Sequence, residues 1–516
     1  MKLKGTIFFV LVAAFAIVGF YFLQENEEVK LLDEQKEIAL LEEKKRAELT
    51  DAGRFKGEIN IGLDNYLGYF PLRSKQLRSE MLQQGYQLKF DDDGADYAQR
   101  VKKLSSGELD FAVFTVDSYI LNAAPVFPGQ IVMVISESKG ADAIVVDKSI
   151  VKVNDIKSIT ATLGSPSHQL IKASIIDFGL DELKQNIQPS DGSSAALKDL
   201  LSGKTKAAVL WEPDISIALK EDRFKSLIST KSTSKLIVDI LVASDDVVNN
   251  HPEKLDVLLK NYFPALRTLS KNKPTLSKAF QNDAKISAEA ADKVIDSIAW
   301  KSLQQNATQW FGIRSKGVSR PEFKIIETID LTNDILIKFG DFQSSPLPGG
   351  NGGAFQLLSS QSIAKLNQQQ DEGQSITDND DFFERFTPSQ WDSLDPVGSL
   401  QIPPIKFKPG THDFSDQGKA DIKNVKNILI RYPRYRLSIE GHTSTRGDAE
   451  LNTQLSQQRA DAIRNYLVET YKIPQNRIRA IGMGPSRPIE KSPDMSYRAW
   501  LNKLPRVEFH LLEEVY

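Results

Sequence analysis

The sequence contains no cysteine among its 516 residues. This absence excludes disulfide bonds, thiolate metal sites, a cysteine nucleophile and the lipid-bearing cysteine of a lipoprotein. Histidine is also scarce, and no two histidines have the H-x-x-x-H spacing of a zinc-binding helix. We therefore expect no metal site and no other cofactor. The five histidines are His168, His251, His412, His442 and His510.

An excess of charge of either sign is missing as well. Charged residues make up 26% of the chain, and the formal net charge is only −3. A chain of this kind has no strong electrostatic attraction to polyanions, so nucleic acid is not an expected partner. The length exceeds what one hydrophobic core supports, which predicts two or three domains.

One long apolar run stands at the N-terminus, from Thr6 to Leu23. It has about the ~20 residues that a membrane-spanning helix needs. Lys2 and Lys4 precede it, which favours a cytoplasmic N-terminus and a periplasmic remainder. We predict a single-pass inner-membrane anchor over residues 1–24. The alternative is a cleaved signal peptide, because Ala14-Phe15-Ala16 fits an A-x-A cleavage site.

The amino-acid composition and the hydrophobic periodicity change several times along the rest of the chain. The region after the anchor is rich in Glu, Lys and Leu, which predicts a helical stalk. Strand-helix alternation then continues to about residue 245 and predicts an α/β fold with parallel sheets. A mostly helical region follows. Stretches such as SSPLPGGNGG and QQQDEGQ then have the composition of a linker. The predicted segments after the anchor are a stalk at 25–55, a two-lobed domain at 56–340, a linker at 341–399 and a final α/β unit at 400–516.

Five phrases in the α/β region share a characteristic order and spacing. They are GLDNYLGYFPL (62–72), SGELDFAVFTVDSY (106–119), SKGADAIVV (138–146), GSPSHQL (164–170) and SGKTKAAVLWEPD (202–214). The set resembles the nitrate/taurine-type periplasmic solute-binding proteins of ABC importers. This resemblance covers residues 56–340 and implies two α/β lobes around a ligand cleft. It also makes an ABC permease a candidate partner.

Ligands of open α/β sheets sit outside the carboxyl ends of the strands, so the loops after the apolar strand runs should converge in the cleft. Free backbone N–H groups at the helix that Ser165 and Ser167 open suit an anionic group, whereas Asp117 and Glu212 could pair with an amine. We therefore expect a small anionic or zwitterionic solute. The candidate ligand-binding residues are Asp64, Tyr66, Tyr69, Thr115, Asp117, Ser165, Ser167, His168, Trp211 and Glu212.

Several of these residues also have a structural interpretation. Trp211 could belong to the core, Asp64 and Asp117 could cap helices or turns, and His168 could lie at the surface. No nucleophile–base pair is visible in the sequence, so catalysis is not expected, although the same fold hosts a few enzymes.

The segment RLSIEGHTSTRGDAELNTQLSQQRA (436–460) is the most specific signal in the chain. Its N-x-x-L-S-x-x-R-A pattern after G-H-T resembles the OmpA-like peptidoglycan-binding domain. The resemblance implies that an arginine, here Arg459, grips the carboxylate of diaminopimelate in the wall peptide.

This sequence departs from the family at two places. An aspartate that pairs with the ligand's ammonium group is replaced by Ser444, and Asp448 lies four residues further along the loop. The closing N-R-R-V-E of the family reads Leu504-Pro505-Arg506-Val507-Glu508 here. The residues that the resemblance assigns to peptidoglycan binding are Thr443, Ser444, Asn452, Leu455, Arg459 and Arg506.

Together these features predict a membrane-anchored periplasmic solute-binding protein tethered to the cell wall, for transport, sensing or envelope organisation. The alternative is a structural envelope linker without a solute. Polar groups in the cleft would favour the first function, and an apolar filling would favour the second.

Overall fold

The computed structural model describes residues 40–315, 321–349, 353–369, 383–408 and 411–513. Within these ranges, no helix has both the length and the apolar character needed to cross a bilayer. The predicted anchor at Thr6 to Leu23 lies outside the described residues.

The described chain alternates between strands and helices for most of its length. The strands are β1 Gly57–Leu63, β2 Tyr86–Asp92, β3 Phe111–Thr115, β4 Gly129–Ser138, β5 Asp142–Asp147, β6 Ile159–Ala161, β7 Ile187–Pro189, β8 Ala207–Trp211, β9 Phe224–Ser229, β10 Val238–Ser244, β11 Ile298–Trp300, β12 Asp395–Ser399, β13 Arg436–His442, β14 Ile478–Gly484 and β15 Arg506–Glu513. The helices are α1 (40–51), α2 Phe70–Arg73, α3 Lys75–Gln83, α4 Tyr97–Ser106, α5 Val116–Ala123, α6 Pro166–Phe178, α7 Asp181–Lys184, α8 Ser193–Leu201, α9 Asp214–Ala218, α10 Asp245–Asn250, α11 Pro252–Lys271, α12 Lys273–Ala284, α13 Ala288–Asp296, α14 Leu303–Gln305, α15 Lys324–Phe339, α16 Gln361–Gln369, α17 Pro388–Asp392, α18 Asp416–Arg431, α19 Ala449–Tyr471 and α20 Tyr497–Lys503.

Two sheets form two lobes, which we call the first and second lobe. The first lobe holds a six-stranded sheet of order β11-β4-β10-β3-β1-β2, and the second holds a five-stranded sheet of order β7-β6-β8-β5-β9. The chain crosses from β4 to β5 and returns from β9 to β10. Two crossings of this kind form a hinge between the lobes.

Both sheets are mixed, whereas the sequence predicted parallel sheets. In the first lobe β1 runs parallel to β2 and β3, but β10 is antiparallel to both β3 and β4. In the second lobe β5 is antiparallel to β8 and β9. The strand that follows each crossing enters its lobe in the opposite direction: β5 runs antiparallel to β8, and β10 runs antiparallel to β3.

The end of the predicted stalk packs against the first lobe. Leu49 of α1 is buried, and Glu42 forms an ion pair of 2.6 Å with Arg78 of α3. The predicted linker is also partly folded. Between 341 and 369, Leu347 and Leu357 join the core around Phe114, and Ile363 and Leu366 of α16 join a core beneath the other face of the first lobe. The Gly-rich composition concealed these widely spaced apolar residues, so part of the predicted linker at 341–399 is packed against the first lobe.

The C-terminal unit is a four-stranded sheet of order β12-β15-β13-β14 with α18 and α19 on one face. The sequence predicted strand, helix, strand, helix, strand, strand, and it missed α20 before the last strand. The unit shares one hydrophobic core with the second lobe, in which the rings of Phe178 and Tyr432 are 5.9 Å apart. Asn154 of the second lobe also accepts a 2.9 Å hydrogen bond from the backbone N–H of Ser399. The second lobe and the C-terminal unit are therefore packed as one body.

Candidate functional site

The loops predicted to form a cleft meet between the two lobes. Thr115 ends β3 and caps α5 in the first lobe, and Ser165 precedes α6 in the second lobe. Helices α5 and α6 are in contact. The hydroxyl of Ser165 donates to the carbonyl of Thr162 at 2.8 Å. Helices α5 and α6 therefore lie against each other at the lobe boundary.

Asp117 lies in the first turn of α5 and is buried. Among the described residues its Oδ1 atom has no hydrogen-bond partner. Burial raises the pKa of Asp117 to about 6, although Thr115 and Lys172 favour its charged form. A buried acceptor without a partner costs free energy unless a ligand or water satisfies it, so Asp117 is a candidate ligand contact.

Asp142 is the second acidic group, at the hinge side of the second lobe. Its carboxylate accepts hydrogen bonds from Ser138 at 2.7 Å and from Ser167. Thr230, on the other hinge crossing, lies 2.7 Å from the hydroxyl of Ser138. Burial raises the pKa of Asp142 despite these bonds. The predicted residue Ser167 therefore belongs to a hydrogen-bond network that joins both crossings.

Asp239 is the third acidic group and lies within β10 of the first lobe. It accepts hydrogen bonds from the hydroxyl of Tyr69 at 2.9 Å and from Ser136 at 2.6 Å. Burial raises its pKa to about 7. The ring of Tyr66 stands edge-on to Tyr69 at 5.2 Å, and burial together with Asp239 and Asp142 raises the pKa of Tyr66. The two predicted tyrosines thus sit among the carboxylates.

The positive charges nearby are held in ion pairs within the protein. Lys172 of α6 pairs with Asp341 at 2.8 Å. Arg100, fully buried, pairs with Asp93 at 2.5 Å and with Asp64 at 3.1 Å. Asp64 also accepts a hydrogen bond of 3.0 Å from the backbone N–H of Tyr66 and so fixes the loop that carries the tyrosines. None of Asp117, Asp142 and Asp239 forms an ion pair with a described residue, although Lys172 lies near enough to favour the charged form of Asp117.

The remaining predicted cleft residues make contacts within the second lobe. His168 accepts a hydrogen bond of 3.2 Å from the N–H of Gly164, and burial with the charge of Lys172 lowers its pKa to about 4, which keeps the ring neutral. Trp211 is half-buried at the end of β8. The carboxylate of Glu212 accepts from the hydroxyl of Ser216 at 2.9 Å and so holds its own helix start.

The sequence analysis missed Asp142 and Asp239. Each carries a signal that could have been used, because both are single acids beside or within apolar strand runs, DAIVV and LIVDILVAS. An ionisable group inside a buried strand requires partners or a function. Lys172 in the apolar run QLIKASII carries the same signal.

The second candidate site is the loop between β13 and α19 in the C-terminal unit. Two glycines let the helix approach the sheet: a Cβ atom on Gly441 would lie 2.3 Å from the carbonyl oxygen of Ser456, and one on Gly482 would lie 2.5 Å from the backbone nitrogen of Gln457. The amide of Asn452 then donates to the carbonyl of Arg446 at 2.9 Å and shapes the loop.

Arg459 lies seven residues beyond Asn452, about two turns further along α19, and is half-buried. Its Nε donates to the carbonyl of Thr411 at 3.4 Å, and its guanidinium stands 5.0 Å from the ring centre of Phe407. Among the described residues no carboxylate pairs with it. Burial lowers the pKa of Arg459. A half-desolvated guanidinium with open donors suits a carboxylate ligand.

The other predicted wall-binding residues surround this loop. Ser444 accepts a bond of 3.2 Å from the N–H of Arg446, and Thr443 is buried with its hydroxyl lacking a partner among the described residues. Asp448 caps α19 through the N–H of Leu451, so it is committed to the helix. Leu455 is half-buried in α19. Arg506 is occupied by Glu508 at 2.6 Å on the outer face of the sheet.

Residues 406–499 match the OmpA family. This match confirms the resemblance seen in the sequence. The OmpA domain is 43% identical over 92 residues to a peptidoglycan-associated lipoprotein of Rhizobium meliloti and 35% identical over 95 residues to outer membrane porin F of Pseudomonas aeruginosa. Each alignment covers 18% of this chain, but 52% of the lipoprotein and 27% of the porin. The chain therefore spans between a quarter and a half of these relatives.

Two solved structures align with about half of this chain. The alkanesulfonate-binding protein SsuA of Xanthomonas axonopodis pv. citri, bound to MOPS, aligns with a TM-score of 0.44 and 13% identity, over 55% of this chain and 94% of that one. The periplasmic aliphatic sulphonate-binding protein SsuA of Escherichia coli gives 0.41 and 18%, over 48% and 86%. These likenesses leave the ligand of this chain open.

Proposed function

We propose that the protein is a periplasmic solute-binding protein, anchored in the inner membrane by residues 1–24 and held at the cell wall by its OmpA domain. The observation that carries the solute function is the unpartnered Oδ1 of Asp117, which is buried between the lobes near Asp142. An evolved structural linker would gain stability from an apolar filling at this place, because isolated buried carboxyl groups are costly.

The same groups define the kind of solute. Three buried carboxyls without an ion pair favour a ligand that brings a positive charge, and the aromatic faces of Tyr66 and Tyr69 suit an ammonium group. Among the expected solutes, this favours a zwitterion whose ammonium end lies between Asp117 and Asp239. Transport through an ABC permease, sensing and envelope organisation are all compatible with such binding.

The experiment is native mass spectrometry of the full chain, purified without denaturant in detergent, together with thermal shift in ethylamine, taurine and ethanesulfonate. These probes share a two-carbon frame and differ in charge. We expect a co-purified small molecule that Asp117→Asn loses, or stabilisation by ethylamine or taurine alone. Ser202→Ala, at an exposed position of the second lobe, serves as the control. If no small molecule co-purifies and no probe shifts the melting temperature, the structural-linker alternative is correct.

The wall function rests on the OmpA domain. The open donors of Arg459 and the buried hydroxyl of Thr443 support the binding of a peptide carboxylate. Ser444 supplies no charge for the ligand's ammonium group, so we propose that the domain binds wall peptide more weakly than a domain with aspartate there.

A further inference from the structure

A cavity of about 400 Å³ lies between the OmpA domain and the second lobe. One wall is the outer face of the OmpA sheet, opposite the face that packs against α18 and α19. The other wall is the loop of the second lobe that contains Val151, Lys152 and Asp155. Neither the solute cleft nor the loop of Arg459 takes part in it.

Two carboxylates meet on this sheet face. Glu440 of β13 stands directly opposite Glu508 of β15 in the antiparallel register. Like charges in directly opposed positions destabilise a sheet unless another group compensates them. His510 completes the group: its Nε2 atom is 3.5 Å from Oε2 of Glu508 and 4.0 Å from Oε2 of Glu440. One ligand atom from each of the three residues lies within 4.8 Å of the others.

The imidazole of His510 is already oriented for coordination. Its Nδ1 atom lies 2.9 Å from the hydroxyl of Ser399 in β12, which leaves Nε2 directed at the carboxylates. Histidines that bind metals usually have their second nitrogen held in this way by a neighbouring group. Tetrahedral zinc, with bonds of about 2.0–2.1 Å, places neighbouring ligand atoms roughly 3.3 Å apart, so small side-chain rotations would suffice.

Ser438 provides an observation that does not depend on the acidic pair. It stands opposite His510 in the register, lines the cavity and is only 2% exposed. Its hydroxyl has no hydrogen-bond partner among the described residues. A buried hydroxyl in a polar cavity calls for a partner, and a water or ligand bound to a metal at the open coordination position would supply one.

Two arginines compensate the carboxylates in the structure described here. Arg487 is 3.2 Å from Glu440, and Arg506 is 2.6 Å from Glu508. The side chain of Arg487 is 64% exposed, so it can turn into solvent at little cost. A metal ion would therefore compete with Arg487 for Glu440.

We propose that Glu440, Glu508 and His510 bind a divalent transition-metal ion, with Zn²⁺ as the best match. One imidazole and two carboxylates favour zinc over the oxygen-only coordination of Ca²⁺ and Mg²⁺. Three protein ligands leave the fourth position open towards the cavity. The spacing of the histidines could not reveal this site, because its ligands come together only through strand pairing.

The test is isothermal titration of the full chain in detergent with ZnCl₂ alone. We expect one Zn²⁺ per chain in the wild type, and affinity at least tenfold lower in Glu440→Gln and in His510→Gln. His412→Gln, at an exposed histidine elsewhere in the OmpA domain, should bind as the wild type does. Arg487→Met should bind more tightly, because the competing cation is gone, and a misfolded variant could not give this result.

The proposal is overturned if the wild type binds no zinc at this stoichiometry. It is also overturned if His510→Gln binds like the wild type, if His412→Gln loses as much affinity, or if Arg487→Met binds no better. Far-ultraviolet circular dichroism of each variant establishes that its fold is intact.

Discussion

Arg431 and Asp177 form a buried bidentate ion pair that fastens the OmpA domain to the second lobe. Nε and one terminal nitrogen of Arg431 donate to the two carboxylate oxygens at 2.9 and 2.6 Å. Arg431 ends α18, and Asp177 lies in the last turn of α6. The backbone carbonyl of Arg431 also accepts a 2.7 Å bond from the N–H of Ser234. The junction is thus both apolar and specifically paired.

Removing one partner of this ion pair should loosen the junction. Asp177→Ala leaves the guanidinium buried without its counter-charge, which costs on the order of 3–5 kcal/mol. We expect differential scanning calorimetry to show a lower melting temperature, with the OmpA domain melting separately from the lobes. Lys293→Ala, which breaks an exposed i,i+4 pair with Glu289, should change stability by less than about 0.5 kcal/mol. Equal effects of the two substitutions would contradict a stabilising role for the junction.

The buried carboxyl of Asp239 should make the stability of the protein fall as pH rises. Its pKa is about 7 in the folded protein against an ordinary value of 3.8 for an exposed aspartate, so the folded state retains a proton that the unfolded state releases. The stabilising contribution is complete below pH 4 and is lost as pH rises through 7, and it amounts to roughly 4 kcal/mol at most.

Asp239→Asn stays neutral and can still hydrogen-bond to Tyr69 and Ser136. Its free energy of unfolding, measured by denaturant titration between pH 4 and 8, should decline less than that of the wild type. Asp51→Asn, at an exposed carboxyl, provides the control. Parallel pH profiles for the wild type and Asp239→Asn would refute a raised pKa.

Solute binding should strengthen with pH if the ligand brings an ammonium group. The pKa of Asp117 is about 6, so the carboxyl is mostly neutral at pH 5 and ionised at pH 8. We expect affinity to rise over this interval, and Asp117→Asn to weaken binding by about 1–3 kcal/mol and to leave only the part of the pH dependence that Asp239 contributes. Titration calorimetry with the co-purified solute measures both. A solute that binds better at pH 5 would show that the cleft prefers an anion.

The OmpA domain should bind isolated wall sacculi through Arg459. Arg459→Ala removes the two parallel hydrogen bonds to a carboxylate, worth on the order of 1–3 kcal/mol, or one to two decades of affinity. Ser444→Asp should strengthen binding, because it restores a charge opposite the ligand's ammonium group. Co-sedimentation of the full chain with sacculi measures both effects. Arg464→Ala, on the same helix but paired with Asp461, is the matched control. If the wild type does not bind sacculi and Ser444→Asp does not restore binding, the domain has another partner.

The fold was largely predictable because its signals are local. Strand-helix alternation predicted the lobes, and the phrase around Gly441 predicted the OmpA domain, which the family match confirms. The folded part of 341–369 escaped prediction, since Leu357 and Ile363 find their partners only in tertiary structure. The packing of the OmpA domain against the second lobe could not be predicted for the same reason.

The candidate sites were harder to predict than the fold. Side chains that follow strands, such as Asp117, were found because position after a strand is visible in sequence. Asp142 and Asp239 lie within or beside strands, and their importance depends on how deeply they are buried. The spacing of residues in the sequence does not predict that burial. Asp64 follows a strand as expected but is paired with Arg100, which lies 36 residues away in sequence.

Helix α1 and the OmpA domain pack on opposite lobes, so the distance between them depends on the angle between the lobes. Helix α1 rests on the first lobe and the OmpA domain on the second, so any hinge motion that opens or closes the cleft changes the separation of the two ends. Because the chain has no cysteine, thiols introduced at the exposed residues Glu43 and Thr470 would be unique attachment points for a pair of fluorophores. Occupancy of a site deep between the lobes could then be followed as a distance at the surface, without any knowledge of the solute.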